Sequence, residues 1–186
     1  MSPSSDPATA PPQLPRFGPL RPVPPAEVIR RLPGAAPGTG WTAHRFGDGR
    51  GYPNGGIWRV VADHRRSPDP AEVWVKRTGP SYLGTFPVWS HRTDPGDPQW
   101  WGREAEFYDS ELATTGWTED VRPAWCHVDD HDGCRDLWLE QIDGVPAPLA
   151  VCRRAVAGLA RWQVAHAAAD RPWLSRGWIA HHIGRY

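Results

Sequence analysis

The chain has 186 residues, with 21 basic and 21 acidic side chains and a hydrophobic content of 39%. That length makes one ordinary domain or a small lobe with appendages, and the charge balance excludes the electrostatic footprint of a protein for nucleic acid or an anionic membrane surface. No apolar run approaches the roughly 20 residues of a membrane span. No apolar leader opens the chain and its three cysteines are scattered, so the expectation is a cytoplasmic protein with reduced thiols.

In chain order, residues 1–23 are rich in Pro, Ser and Ala and predict a disordered tail. Pro24 to Leu32 predicts a short helix, with proline in its first turn and Pro33-Gly34 stopping it. Trp41 to Phe46 predicts a strand. A Gly-rich turn follows from Gly47 to Gly56, then a second strand from Ile57 to Ala62 and a third from Ala71 to Arg77. In the third, Val73 and Val75 share one face while Glu72, Trp74 and Lys76 share the other. Gly79 to Gly96 reads as a long loop. A helix is expected from Asp97 to Gly116, with Trp100, Trp101, Phe107, Tyr108 and Leu112 at helical spacing. Pro123 to Val128 and Leu137 to Ile142 read as two strands joined through the polar Asp129-to-Gly133 stretch. Pro148 to about Ala169 reads as a second long helix, with Cys152, Val156, Leu159, Ala160 and Gln163 along its inward stripe. Three strands, a helix and two strands make an α+β chain in which a five-stranded antiparallel sheet carries one packed helix.

Few residues offer chemistry. Lys76 is the only lysine, in a chain whose other basic residues are all arginine. Its position reads either as a solvated strand end or as a point charge for polyphosphate oxygens, a role in which arginine and lysine are not interchangeable. Glu104 shares the helical face of Trp100, Trp101, Tyr108 and Leu112. A carboxylate on a buried stripe is costly unless paired, and Lys76 is the partner it predicts. Glu106 is expected to face solvent with Ser110. The glycines of the turn, Gly51 and Gly55 among them, let backbone N–H groups approach phosphates, but they equally make an ordinary hairpin turn. The Cys126-to-Cys134 cluster of Cys, His and Asp fits no paired-cysteine zinc spacing and reads as turn chemistry, so no metal site is expected.

Taken together, these segments resemble the small lobe of the protein-kinase-like fold, in particular the aminoglycoside phosphotransferases and related small-molecule kinases. Val73-Trp74-Val75-Lys76 resembles the V-A-I-K motif of the third strand. Arg103 to Tyr108 resembles the R-E-x-x-F-Y helix, Leu137 to Ile142 the hinge, and Ala160 to His166 the helix after it. Pro172 to Trp178 resembles a segment before the catalytic core in actinobacterial members. The resemblance implies that Lys76 contacts the ATP phosphates, that Glu104 holds Lys76, and that the backbone of Leu139, Glu140 and Ile142 reaches the adenine. Residues 24–144 would be the small lobe and hinge, and 145–186 the start of a helical second lobe.

Such a kinase also needs an Asp to take the substrate's proton and an Asn and Asp to hold Mg²⁺. Asn54 is the only asparagine, so H-x-D-x-x-x-x-N is absent; His127-Val128-Asp129 begins it, but Cys134 stands where the asparagine belongs. The expectation is weak nucleotide binding without phosphotransfer. The chain is expected to be a kinase truncated before its catalytic lobe, and Mg²⁺ would matter only if that lobe were supplied, for instance by a separate chain. Trp162, Trp173, Trp178 and Ile179 are expected to be exposed by the lack of that lobe. The alternative is a non-catalytic interaction domain that uses this Trp-rich surface for a partner or for self-association.

Overall fold

The computed structural model describes residues 21–46, 54–63, 70–79, 94–97, 100–118, 121–131, 133–142, 144 and 146–174. Most of the expected tail, the turn with Gly51, most of the 79–96 loop, and Trp178 and Ile179 lie outside these residues.

Helix α1 (Ala26–Ile29) starts after Pro25, whose carbonyl accepts from the Val28 and Ile29 amides at 3.0 Å. The strands β1 (Trp41–Phe46), β2 (Asn54–Ala62), β3 (Glu72–Thr78), β4 (Cys126–His131) and β5 (Cys134–Glu140) form one antiparallel sheet in the order β1-β2-β3-β5-β4. Helix α2 (Arg103–Asp109) lies between β3 and β4 in the chain, and α3 (Leu149–Ala165) follows β5. The α+β class and the five-stranded antiparallel sheet are as the strand chemistry predicts.

Register assigns the faces. Val60 lies opposite Val73, and Trp58 and Trp138 lie on either side of Val75. Cross-strand partners share a face, so these side chains form one apolar surface, which Val28 of α1 covers. Leu32, Trp41, Ala43 and Trp125 complete this core. Each large side chain buried here contributes about 1.5–3 kcal/mol. The other face carries Lys76 and Trp74 of β3, with Leu137 and Leu139 as their β5 partners, and receives α2.

Several boundaries differ from the sequence expectations, each for a local reason. The helix expected over 97–116 is confined to Arg103–Asp109. Ser110 takes an extended ψ of 163° and ends it, then caps a short 3-10 turn over Glu111–Ala113 by accepting from the Leu112 amide. The hairpin expected at Asp129-to-Gly133 forms with longer strands, in which Asp129 and Asp130 pair with Asp136 and Arg135 in the ladder. Only Asp132 and Gly133 intervene between the paired His131 and Cys134, with Gly133 at φ 74° as a tight hairpin demands. Gly55 and Gly56 belong to β2, where the register shifts between Asn54 and Gly56, and not to the turn.

Helix α3 also presents a different side. Val156 and Leu159, expected to face inward, are 68% and 43% exposed. Cys152, Ala160 and Gln163 are exposed too. The packed face instead runs through Gly158, Trp162 and His166, four residues apart. Gly158 decides this, because a Cβ there would stand 2.7 Å from Val121 Cγ2, so the helix approaches only where it has no side chain. Trp173, expected to be exposed, is only 7% accessible, and Trp162 is half-buried.

Beside Lys76, Arg77 points to the opposite, α1-covered face. It makes a two-pronged ion pair with its cross-strand partner Asp136, and the two side chains are 5% and 4% exposed. A Cβ on Gly55 would come within 3.0 Å of Arg77 Cγ, so the glycine makes room for this side chain. Removing one partner of a buried pair strands the other charge. Asp136→Ala is therefore expected to cost about 3–5 kcal/mol of unfolding free energy, read from the denaturant midpoint. Replacing both residues, Arg77→Met with Asp136→Leu, should recover most of that loss. A single Asp136→Ala change that left the midpoint unmoved would contradict the assignment.

Candidate functional site

The one lysine and the inward glutamate meet. Lys76 Nζ donates to Glu104 Oε2, with the two side chains 22% and 39% exposed. Lys76 is brought there by β3, the central strand, between Ile57 of β2 and Leu137 of β5. Glu104 is brought there by the first turn of α2. A pair this accessible to water adds on the order of 1 kcal/mol or less to stability, so it does not hold the fold together. What it does is fix the ammonium in one place.

The position of α2 rests on other contacts. Glu106, expected to be solvated, accepts from Arg135 of β5 at 2.6 Å, and Arg135 also meets Asp130 at 2.8 Å. The strand chemistry that places Arg135 on the Lys76 face makes this second bridge possible. On the far side, Arg103 donates to the carbonyls of Trp173 at 2.6 Å and Asp97 at 2.9 Å. Trp117, Trp162 and His166 stack in series, with ring centroids 4.7 and 4.8 Å apart. Both indole N–H groups donate to the Leu112 carbonyl just after α2. A seven-residue helix is marginal alone, so these clamps from β5 and from residues 162–173 position Glu104.

The hinge residues are less alike than the sequence suggests. Leu139 sits in β5 opposite Trp74. Glu140 is engaged with β4: its amide donates to the Trp125 carbonyl at 3.2 Å, and its carboxylate accepts from the Trp125 amide at 2.7 Å. Ile142 lies beyond the ladder and is 63% exposed. Gly55 is a bulged strand residue beneath Arg77, and Gly51 lies outside the described residues. The structure thus brings Lys76 and Glu104 together, with Leu139 on the same face of the sheet two residues along β5 from Leu137, and does not place Gly55 at them.

Near Glu104, burial dominates the titration of two neighbours. It pushes the Tyr108 phenol up from 10.0 to about 12, with Cys126 and Glu104 adding to the rise. Burial, then Glu104 and Asp109, likewise push the Cys126 thiol well above its ordinary range. Strand alternation splits the Cys/His/Asp cluster. Cys126 and Asp130 share the face of Leu139 and Arg135, whereas His127 and Asp129 share that of Trp138 and Asp136. Among the described residues, no three His, Cys, Asp or Glu side chains converge as a metal site would need.

Sequence reasoning missed Arg77–Asp136, the tie of Trp74 to Gln141 and the aromatic stack. A signal existed for the first, because Arg77 continues the buried Val73, Val75 alternation. Trp74 shares the face of Lys76 by the same rule. The stack joins residues far apart in the chain and left no local trace. Among the described residues, no helix is long and apolar enough to cross a membrane. Compared with protein families, with curated proteins and with solved structures, the chain matches none.

Two outcomes follow from the titration pattern. With a disulfide-exchange reagent near pH 8, Cys152, which is exposed, should react fast, while the buried Cys134 and the protonated Cys126 react slowly. Cys152→Ser should remove the fast phase, and two fast thiols in the native protein would contradict this. In an alkaline absorbance titration Tyr108 should ionise near pH 12, a step absent from Tyr108→Phe. Between pH 10 and 12 the folded state keeps a proton that the unfolded state has lost, so this group's contribution to stability falls as pH rises.

Proposed function

We propose that the Lys76 face of the sheet, bounded by α2 and the end of β5, binds the phosphates of ATP, as the small lobe of a phosphotransferase that acts on a small-molecule hydroxyl. The observation that carries this reading is the Lys76–Glu104 pair, a third-strand lysine held by a glutamate from the following helix. In kinases that ion pair must be in place for the lysine to serve the phosphates.

The chemistry available to these residues is binding and orientation. The Lys76 ammonium neutralises non-bridging phosphate oxygens, and Glu104 holds it on the cleft side, so that little side-chain ordering remains when the nucleotide arrives. Transfer needs more. H-x-D-x-x-x-x-N occurs nowhere in the 186 residues, and the one glutamate at Lys76 is already engaged by it. Mg²⁺ would neutralise charge on the β- and γ-phosphates when bound; among the described residues no three His, Cys, Asp or Glu side chains gather into one group. The role proposed for these residues is therefore nucleotide binding, with the acceptor and the proton-taking Asp supplied by another lobe or chain.

A second reading has its own observation. The outward side of α3 leaves Leu149, Val156 and Val164 65%, 68% and 77% exposed. Exposed apolar side chains along one side of a helix are the pattern of an interaction surface; of the tryptophans expected there, Trp173 is buried and Trp178 lies outside the described residues. Concentration-dependent light scattering distinguishes self-association from a monomer that binds nucleotide.

For the primary reading, equilibrium dialysis with ATP should show Lys76→Ala weakening binding by about tenfold or more, the size of a lost charge-assisted contact. Lys76→Arg should not restore it, because the planar guanidinium does not reproduce a compact ammonium. Equal ATP binding by the native protein and Lys76→Ala would refute the assignment.

A further inference from the structure

On the Lys76 face, the space between the lysine and the hinge is already taken. Trp74 lies two residues before Lys76 on β3 and directly opposite Leu139. Its indole therefore stands on the cleft side, between the phosphate end and residues 139–142. Two contacts hold it there. The indole N–H donates to the side-chain oxygen of Gln141, just past the end of β5, and the ring meets Phe46 of β1 edge-on, with centroids 5.3 Å apart. The side chain thus spans from the β1 side of the sheet to the segment after β5. A base lying flat against this stretch, with its phosphates on Lys76, needs a small side chain at position 74. The largest side chain is present instead, tethered at both ends.

We infer that Trp74, latched by Gln141, closes the base end of the cleft, so that the site as it stands takes the polyphosphate part of a ligand and does not distinguish ATP from inorganic tripolyphosphate. The inference rests on the nucleotide reading above and adds a specificity-determining residue to it. Base recognition then requires the indole to leave Gln141. The ring is only half-buried, so that movement breaks one hydrogen bond and one aromatic contact, not the core on the opposite face. Phe46, 63% exposed, is the other half of the closure.

Lys76 supplies the readout, because it is the only lysine and the peptide carrying it can be followed by mass spectrometry after brief acylation of amines. Protection of Lys76 is titrated with ATP and with tripolyphosphate on the full chain, in the native protein, Trp74→Ala and Gln141→Leu. The expected result is equal protection by the two anions in the native protein. Trp74→Ala should gain about tenfold for ATP over tripolyphosphate, the scale of one base stacked in a vacated slot. Gln141→Leu, which frees the indole at an exposed position without opening a cavity, should gain a smaller preference of the same sign. A native protein already preferring ATP by tenfold would overturn the closure, as would tripolyphosphate protection with no ATP preference in either variant. If neither anion protects Lys76 in any of the three proteins, the phosphate-binding reading itself fails and this inference falls with it.

Discussion

Two adjacent cations on the central strand point in opposite directions, and much of the molecule follows from that. Lys76 faces α2 and its Glu104; Arg77 faces the α1-covered core and is neutralised by Asp136. Because strand side chains alternate with period two, a one-residue slip of β3 against β5 would exchange these roles. It would bury a lysine without its carboxylate and turn the Val73, Val75 stripe to the wrong face. The buried Arg77–Asp136 pair therefore pins the register that presents Lys76. Such a pair is weak evidence of net stabilisation, and its better-supported use is specificity of arrangement.

The helix opposite the sheet is held in a different way. α2 is too short to persist alone and has no side-chain cap at its start. Its place is set by Glu106 on Arg135 and by Arg103 on the Trp173 carbonyl. At its far end, the Trp117–Trp162–His166 stack takes over. The segment after β5 thus packs back on the element that carries Glu104. Residues 162–173 reach the helix that carries Glu104 through packed side chains and hydrogen bonds, although none of them lies at Lys76.

Charge and aromaticity divide the work. The ion pairs between α2 and the sheet are partly open to water and contribute little each, whereas Trp117 and Trp162 stack on each other and direct their N–H groups at the Leu112 carbonyl just after α2. Trp74 departs from this pattern. It is half-buried on the Lys76 face and bonded to a glutamine side chain, away from the α1-covered core, and the role proposed for it is control of access.

Much of this was legible in the residues themselves. Period-two alternation located the strands and put Lys76 and Trp74 on one face, helical spacing turned Glu104 inward, and together they predicted the pair that forms. Helix ends were less legible, because Ser110 serves equally as a helix residue or a break, and only its packing selects the extended form. The inward side of α3 could not be read from hydrophobicity at all: Gly158 wins over Val156 and Leu159 because Val121 leaves room only for a residue without a side chain. Local periodicity thus determined which elements exist and which way the strand side chains and Glu104 face. The closing of Trp74 on Gln141, the burial of Arg77 on Asp136 and the clamping of α2 were decided in three dimensions. Each joins residues dozens of positions apart, and only register and packing bring them within hydrogen-bond or ion-pair reach.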